Sequence, residues 1–177
     1  MYRALASLVS VKRYVSSSMA GPAPSKLLGR PLLGRYTVLP VELFRINSSE
    51  QIRLRDYAEQ SKRGRTSYDL RLGSDGLVHP SDGENYICPN GASVRPEGSF
   101  LQELITGFMG RNTVIYRLPQ GLELPPDLIC LHEFSDHHSL QCSKPMTLKD
   151  LNAKLTKLCI EHGEKLSKTE FAERYPF

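Results

Sequence analysis

Residues 124–146, "LPPDLICLHEFSDHHSLQCSKPM", carry the clearest structural signal in the chain. It holds three of the chain's five histidines, one glutamate and two aspartates between prolines. Its apolar residues predict two short strands, DLICLHE (127–133) and HHSLQCS (137–143). Three interpretations of the polar residues are open: a metal site, a catalytic site, or the polar face of a strand pair.

The histidine spacing argues against a zinc protease. His132-Glu133 matches the start of the His-Glu-x-x-His pattern, but position 136 is Asp and the next histidine is His137. The zinc pattern also requires a helix, whereas the prolines and apolar residues here favour strands. His132, Asp136 and His137 could still meet around a metal in three dimensions, but we predict no metal.

A purely structural interpretation suits the same residues. In a β-hairpin the histidines would lie on the solvent face, while Leu131, Phe134 and Leu140 face the core, because side chains alternate along a strand. On the residue pattern alone this is the strongest interpretation.

The elements predicted around this stretch make an α+β domain with mostly antiparallel strands. The first half of the chain predicts a strand region over 34–47 with Pro40 inside it, a helix over about 50–62 capped by Ser48 or Ser49, and a hairpin over 67–80 that turns at 73–76. A long loop over 80–98 follows, then a helix that begins with a capping box at Ser99 and Gln102 and runs through Met109, and a strand over 112–119. The last predicted helix runs from Thr147 to about Gly163 and has one apolar stripe, formed by Leu148, Leu151, Leu155 and Leu158.

Length and composition predict one folded domain after a leader. The chain has 177 residues, 40% hydrophobic and 24% charged, which is ordinary for a globular protein. No apolar run approaches the roughly 18 residues that span a bilayer. The four cysteines form no CxxC pair, which argues against a zinc ribbon or disulfide framework and favours a reducing compartment. We assign a leader to residues 1–33, the domain to 34–163 and a polar tail to 164–177.

The positive charge belongs mainly to the leader. Six of the 23 basic residues precede the first acidic one, Glu42, so the remaining 17 stand against 19 acidic residues, a net −2. The domain therefore gives no strong nucleic-acid signal. The leader, rich in Arg and Ser and without acids, predicts a mitochondrial transit peptide; a disordered basic tail is the alternative. Translation from Met19 would give a cytoplasmic form.

Several short motifs follow one another in a fixed order: LFR (43–45), SDGLVHP (74–80), NGASV (90–94), and then the pattern within 118–146. That last pattern has the Gly121 turn, Pro125-Pro126-Asp127-Leu128, the pair His137-His138, and Pro145-Met146 before the last helix. In this order, the motifs resemble the bacterial type VI secretion effector toxins of the Tse family, second effector type, and their fungal relatives. The resemblance runs from about residue 36 to 160.

The resemblance implies an ADP-ribosyltransferase-like fold and action on NAD as co-substrate. Such enzymes break the bond between nicotinamide and ribose and transfer ADP-ribose to a macromolecular acceptor, for which we expect a protein. Nicotinamide leaves as a neutral molecule, so positioning and electrostatic stabilisation carry the rate. A toxin of this kind also implies an immunity or inhibitor protein.

The resemblance further implies roles for single residues. Arg45 would bind the NAD diphosphate or ribose with its planar, charged fork, and Arg65 is a weaker candidate. Ser93 would support the pocket with its hydroxyl, and Gly91 would let the backbone approach the ligand, although a plain turn explains this segment equally well. His137 would hydrogen-bond the ribose or the acceptor.

Glu133 is assigned from chemistry rather than from the matched motifs. It is the one glutamate of the opening stretch, and a catalytic glutamate in ADP-ribosyltransferases holds a ribose hydroxyl and stabilises the developing cation. Three alternatives stay open: an NAD glycohydrolase in which water is the acceptor, an inactive mitochondrial binding module of the same fold, and an RNA-associated mitochondrial protein. The net charge of the domain disfavours the last of these.

Overall fold

The computed structural model describes residues 31–84 and 86–176. The predicted leader over 1–33 lies almost wholly outside these residues, so its assignment stays a prediction. None of the described helices combines the length and the apolar character needed to cross a bilayer.

Within the described residues the chain forms two antiparallel sheets and four helices. The elements are β1 (Gly34–Tyr36), β2 (Leu43–Asn47), α1 (Tyr57–Lys62), β3 (Ala92–Val94), α2 (Ser99–Gly107), β4 (Val114–Leu118), β5 (Leu128–Phe134), β6 (His137–Cys142), α3 (Leu148–His162), β7 (Glu164–Leu166) and α4 (Lys168–Arg174). The strand orders are β1-β5-β6-β3 and β2-β4-β7, which confirms the predicted α+β class.

The opening stretch forms the central hairpin of the four-stranded sheet. β5 and β6 pair antiparallel with Leu131 opposite Ser139, and the register shifts between His132 and Phe134. Ser135, in the turn, has a φ of 48°, a left-handed conformation that non-glycine residues adopt mainly in tight turns. Both predicted strands are confirmed.

The burial of β6 corrects the solvent-face interpretation of the histidines. Every residue of β6 is buried, and His137 and His138 are only 6% and 4% exposed. One face of the sheet, including Cys130 and Leu140, packs into the main apolar core. The other face, where Ile129 and Leu131 lie beside Ser139 and Gln141, is buried as well. Leu131 therefore lies on the opposite face from Leu140, not beside it in the core as predicted.

The three-stranded sheet includes residues that the sequence analysis set apart as a tail. β7 pairs with β4, and Phe171 of α4 is buried against Phe44 of β2, edge to face at 5.5 Å. Ser167 caps α4 in a capping box with Glu170. Residues 164–174 thus belong to the folded domain, because they complete its second sheet and cover it.

The helix of the C-terminal half matches its prediction. Thr147 caps α3 by accepting a hydrogen bond from the Asp150 N–H, and the helix ends before Gly163. Leu151, Leu155 and Leu158 are buried on one stripe, as the helical spacing requires.

The predicted helix over 50–62 is wrong in its first half. The helix begins only at Tyr57, where the Asp56 carboxylate caps it. Residues 51–56 are extended, and buried residues at 52, 54 and 56 alternate with exposed residues at 51, 53 and 55. The backbone N–H groups of Ile52 and Leu54 donate to the side chains of Thr156 and Asn152 on α3, so helix α3 supplies their hydrogen bonds.

The predicted hairpin over 67–80 turns as expected but does not pair with itself. The Gly73 N–H donates to the Leu77 carbonyl, and Gly76 has a φ of 77°. The two arms instead form single bridges elsewhere, Leu70 to Asp56 and Val78 to Met146. Each arm thus pairs with a more distant segment of the chain instead of with the other arm.

Two further boundaries differ from their predictions. The long loop over 80–98 contains strand β3. The capping box at Ser99 is absent, since α2 begins after Gly98 without a side-chain cap and Gln102 donates to Glu97 instead.

The two sheets meet where β2 lies beside β3. The N–H of Phe44 donates to the carbonyl of Arg95, and the N–H of Arg95 donates back to Phe44. Helix α2 follows directly after β3, so a cleft opens between this junction and the helix.

Candidate active site

A cleft of about 440 Å³ lies at the junction of the two sheets. Four arginines, Arg45, Arg53, Arg55 and Arg95, and one aspartate, Asp69, line it. Its apolar wall includes aromatic rings, namely Phe44, Phe100 and Phe108. A concave site with several guanidinium groups and aromatic surfaces fits an anionic ligand with planar rings.

Arg45 projects from β2 into the base of this cleft. Its Nη1 donates a hydrogen bond to the Ser93 carbonyl at 2.9 Å. Its buried Nε has no hydrogen-bond partner among the residues that the structure describes. Burial lowers the pKa of Arg45 from its ordinary value. A buried guanidinium with an unused donor is a feature that an anionic ligand would satisfy.

Two of the other arginines are held by carboxylates. Arg55 binds Asp69 through two nitrogens, with Nε 2.7 Å and Nη2 3.0 Å from the two carboxylate oxygens. Arg95 pairs with Asp136 in the hairpin turn and lies over the Phe100 ring, 4.4 Å from its centroid. These contacts fix the direction of each guanidinium before a ligand binds.

Behind the cleft, the polar face of the four-stranded sheet carries a buried cluster centred on Glu133, which is 1% exposed. Its Oε1 accepts hydrogen bonds from the Ser139 hydroxyl at 2.8 Å and the Gln141 amide at 3.3 Å. Its Oε2 accepts one from the Cys88 thiol at 3.0 Å and lies 2.7 Å from His137 Nδ1. We call these five residues the glutamate cluster.

Glu133 is held in its charged form. Burial raises the pKa of Glu133, but the contact with His137 and the hydrogen bonds from Cys88 and Ser139 outweigh it, and the resulting pKa lies below the ordinary value. A fully buried carboxylate is thus kept ionised by its partners.

Ser93 joins the glutamate cluster to the cleft. Its Oγ lies 3.0 Å from His137 Nε2, its carbonyl accepts from Arg45, and the residue itself lines the cleft. His137 and Glu133 do not line the cleft. They lie in a row behind Ser93, with His137 next to its hydroxyl and Glu133 beyond His137.

The structure therefore brings together four of the six residues singled out from the sequence: Arg45, Ser93, His137 and Glu133. Arg65, which was expected to bind the ligand, is exposed and does not line the cleft. Gly91 also lies outside the cleft lining. A Cβ at this position would come within 2.5 Å of the Leu140 carbonyl oxygen, so its lack of a side chain serves strand packing rather than ligand approach.

Sequence reasoning missed Arg53, Arg55 and Arg95. The first two were placed in a helix, whereas the extended segment 51–56 directs alternate residues to one side, and both arginines line the cleft. The alternation of apolar and charged residues in Ile52, Arg53, Leu54 and Arg55 is typical of an extended strand and could have predicted this arrangement.

The metal set considered from the sequence is not assembled. His132 Nε2 lies 2.5 Å from the Ser135 carbonyl oxygen, and its ring stacks on His138. Asp136 pairs with Arg95. His132 and Asp136 thus have other partners and do not meet His137 around a common point.

Two antiparallel sheets with four helices make an α+β fold, and the arginine-lined cleft lies at the junction of the sheets. The family model of the Tse2 ADP-ribosyltransferase toxin matches residues 41–171, from just before β2 into α4. The chain belongs to this family. A search of curated proteins found no match.

Proposed function

We propose that the protein uses NAD as co-substrate, breaks its nicotinamide–ribose bond and transfers ADP-ribose to a macromolecular acceptor, which we expect to be a protein. One observation carries the proposal: the arginine-lined cleft adjoins the glutamate cluster at Ser93, whose hydroxyl lies 3.0 Å from His137 Nε2. The unpaired Nε of Arg45 and the fixed forks of Arg55 and Arg95 suit a diphosphate, which carries two negative charges. Phe100 and Phe108 offer apolar surface to the rings of NAD.

When bound, NAD supplies the bond that breaks and the positive charge that develops at its ribose. The chain's part is to hold that ribose and to present negative charge near it. The Glu133 carboxylate favours a proton on His137 Nδ1, which leaves Nε2 to accept from the Ser93 hydroxyl. Ser93 then directs an oxygen lone pair into the cleft. Within this proposal Ser93 contacts the substrate, while His137 and Glu133 are positioning residues.

The expected place of action also remains a proposal. The composition of residues 1–33 supports import into mitochondria, and initiation at Met19 would give a cytoplasmic form. An immunity or inhibitor protein is a partner that toxin families of this kind imply.

The test follows NAD labelled on its adenosine side, incubated with purified chain and a cell lysate. Labelled bands and free nicotinamide are measured for the wild type, His137→Ala and the control His132→Ala, whose ring lies on the same hairpin but outside the glutamate cluster. We expect labelled protein with wild type and control, and loss of it with His137→Ala at unchanged circular dichroism.

Other outcomes separate the alternatives. Nicotinamide release without a labelled band would establish an NAD glycohydrolase. Neither signal from a folded wild type would favour the inactive binding module.

A further inference from the structure

Three different metal-binding atoms converge inside the glutamate cluster. Cys88 Sγ, a Glu133 carboxylate oxygen and a His137 ring nitrogen all lie within 4.8 Å of one another. Glu133 Oε2 is 3.0 Å from the sulfur and 2.7 Å from His137 Nδ1. We propose that Cys88, Glu133 and His137 form a binding site for a zinc-class divalent cation.

An unused donor atom supports this site independently of the spacing. The His137 side chain is 7% exposed, and its Nδ1 has no hydrogen-bond partner of acceptable direction among the described residues, although it lies close to Glu133. Without a metal, Nδ1 carries its proton close to Glu133 but off the hydrogen-bond direction, so an ion at this site would replace a poorly aligned contact rather than a good hydrogen bond.

The donor set selects the class of metal. Thiolate and imidazole ligands favour Zn²⁺ and similar ions over Mg²⁺ or Ca²⁺, which prefer oxygen donors. Two anionic ligands, Cys88 thiolate and Glu133 carboxylate, would neutralise a divalent ion, so the loaded site carries no net charge into the buried sheet face. Three protein ligands leave a fourth position for water, as in open zinc sites.

The surroundings hold these ligands as metal sites require. Ser139 and Gln141 bind the other carboxylate oxygen, Oε1, and so leave Oε2 directed toward the site. Tyr86 donates to the Glu133 carbonyl at 3.2 Å, which ties the segment before Cys88 to β5. Donor atoms around tetrahedral zinc lie roughly 3.2–3.8 Å apart, so the present spacings need to open by about half an ångström.

Proton balance is simple. The Cys88 thiol, whose pKa burial and Glu133 raise, gives up its proton to solvent as the sulfur–metal bond forms. The ion takes the Nδ1 lone pair of His137, and the ring proton is exchanged through solvent to Nε2. One proton is released for each ion bound.

Metal binding would also reverse the hydrogen bond to Ser93. With the proton on Nε2, His137 donates to the Ser93 oxygen instead of accepting from its hydroxyl. If the proposed function holds, this consequence makes the ion an inhibitor of the transferase, whereas the binding site itself does not depend on that function.

The test uses the full chain freed of metal by a chelator and titrated with Co²⁺, then with Zn²⁺. We expect one ion per chain, a thiolate-to-cobalt charge-transfer band, and loss of that band when Zn²⁺ is added. Cys88→Ser keeps a donor for Glu133, so the fold is retained, but it should remove the band and weaken Zn²⁺ binding at least about tenfold. The control His132→Gln should behave like the wild type.

Two results would overturn the site: no stoichiometric binding by the folded wild type, or equal binding and an unchanged band in Cys88→Ser. Because the readout is bound metal, the result is independent of any activity on NAD. Nitrogen NMR of the His137 ring then tests the tautomer, with the proton expected on Nε2 only in the loaded protein.

Discussion

The outer faces of the two sheets are covered in different ways. On the three-stranded sheet, Phe44, Ile115 and Leu166 pack against α2 and α4 in an apolar cluster with Phe171. On the four-stranded sheet, the face opposite the core carries the glutamate cluster and is covered by irregular chain around Tyr86 and Cys88. The covered face of the three-stranded sheet contributes stability through buried apolar area. The polar face of the four-stranded sheet is stable only while each of its buried polar groups has a hydrogen-bond partner.

Because the two faces are built differently, function and folding can be changed separately. Apolar packing spreads its energy over many weak contacts, so a change that keeps the apolar volume costs little, whereas removal of a whole ring costs much. A buried polar cluster is intolerant, because each lost partner leaves another group unsatisfied. Substitutions on the two faces should therefore have different signatures in stability and in activity.

The largest expected effect is on the apolar face. Phe171→Ala should lower the free energy of unfolding by about 3–5 kcal/mol, since it removes a buried ring and leaves a cavity. The folded fraction at low temperature should keep the proposed activity on NAD, because Phe171 does not line the cleft. Urea unfolding followed by circular dichroism measures the first quantity.

Phe171→Leu is the matched control and should cost less than about 1.5 kcal/mol, because it keeps most of the apolar volume. An inactive folded Phe171→Ala protein would contradict the separation of the two faces.

Glu133→Gln probes the polar face with a smaller change in shape. Removing the charge weakens the hydrogen bonds from Cys88 and Ser139 and the contact with His137, so stability at neutral pH should fall by about 2 kcal/mol. Unlike Phe171→Ala, it should also reduce activity per folded molecule. Glu173→Gln, at an exposed position on α4, should change neither.

The pH dependence of stability gives a second measurement on this variant. The pKa of Glu133 is lowered in the folded state, so its charge contributes stability above the ordinary pKa of a glutamate. That contribution is lost as the pH falls below that value and through the folded-state pKa. Wild-type stability should therefore fall more steeply in acid than that of Glu133→Gln. Parallel curves would show that Glu133 is not held in its charged form.

The sequence predicted one of the two faces better than the other. The hairpin β5–β6 was recognised because apolar strands between prolines are a local signal. Glu133 and His137 were both predicted as site residues, and the structure places them 2.7 Å apart. Their neighbours Cys88, Ser139 and Gln141 were not predicted. Cys88 reaches Glu133 across 45 positions of sequence, and no local pattern reports such pairing.

The apolar face was missed for a different reason. Residues 164–177 are mostly polar and read as a tail, although Ser167 and Glu170 have the spacing of a capping box that begins a helix. The buried residues of that segment, Leu166 and Phe171, are too few to give a periodic pattern. Leu166 is buried because β7 pairs with the edge of β4, and that edge exists only once the chain has folded.

A smaller effect is expected at Arg45, which lies between the two sheets. Arg45→Lys keeps the charge but loses the planar fork, so the KM for NAD should rise roughly tenfold or more with little change in stability. Arg35→Lys is the control, since Arg35 pairs with Asp82 away from the cleft. Initial rates of nicotinamide release at varied NAD measure both. An unchanged KM in Arg45→Lys would remove Arg45 from the proposed binding site.

The smallest expected effect is at Asp127, which belongs to the matched motif but lies outside the cleft lining. Lys144 and Lys154 flank its carboxylate at 2.6 and 2.7 Å and lower its pKa to about 2. Both lysines are well exposed, so water screens the attraction. Asp127→Asn should lower the melting temperature by only about 2 °C.

The sign of its pH dependence follows from the same contacts. Because the pKa of Asp127 is lowered on folding, its contribution is present above the ordinary aspartate pKa and disappears as the pH approaches about 2. The small difference between wild type and Asp127→Asn should thus vanish in strong acid and shrink in high salt. Activity on NAD should stay unchanged, because this pair only ties the start of β5 to α3. A loss of activity without a loss of stability would instead extend the functional surface from Ser93 to the far end of the hairpin.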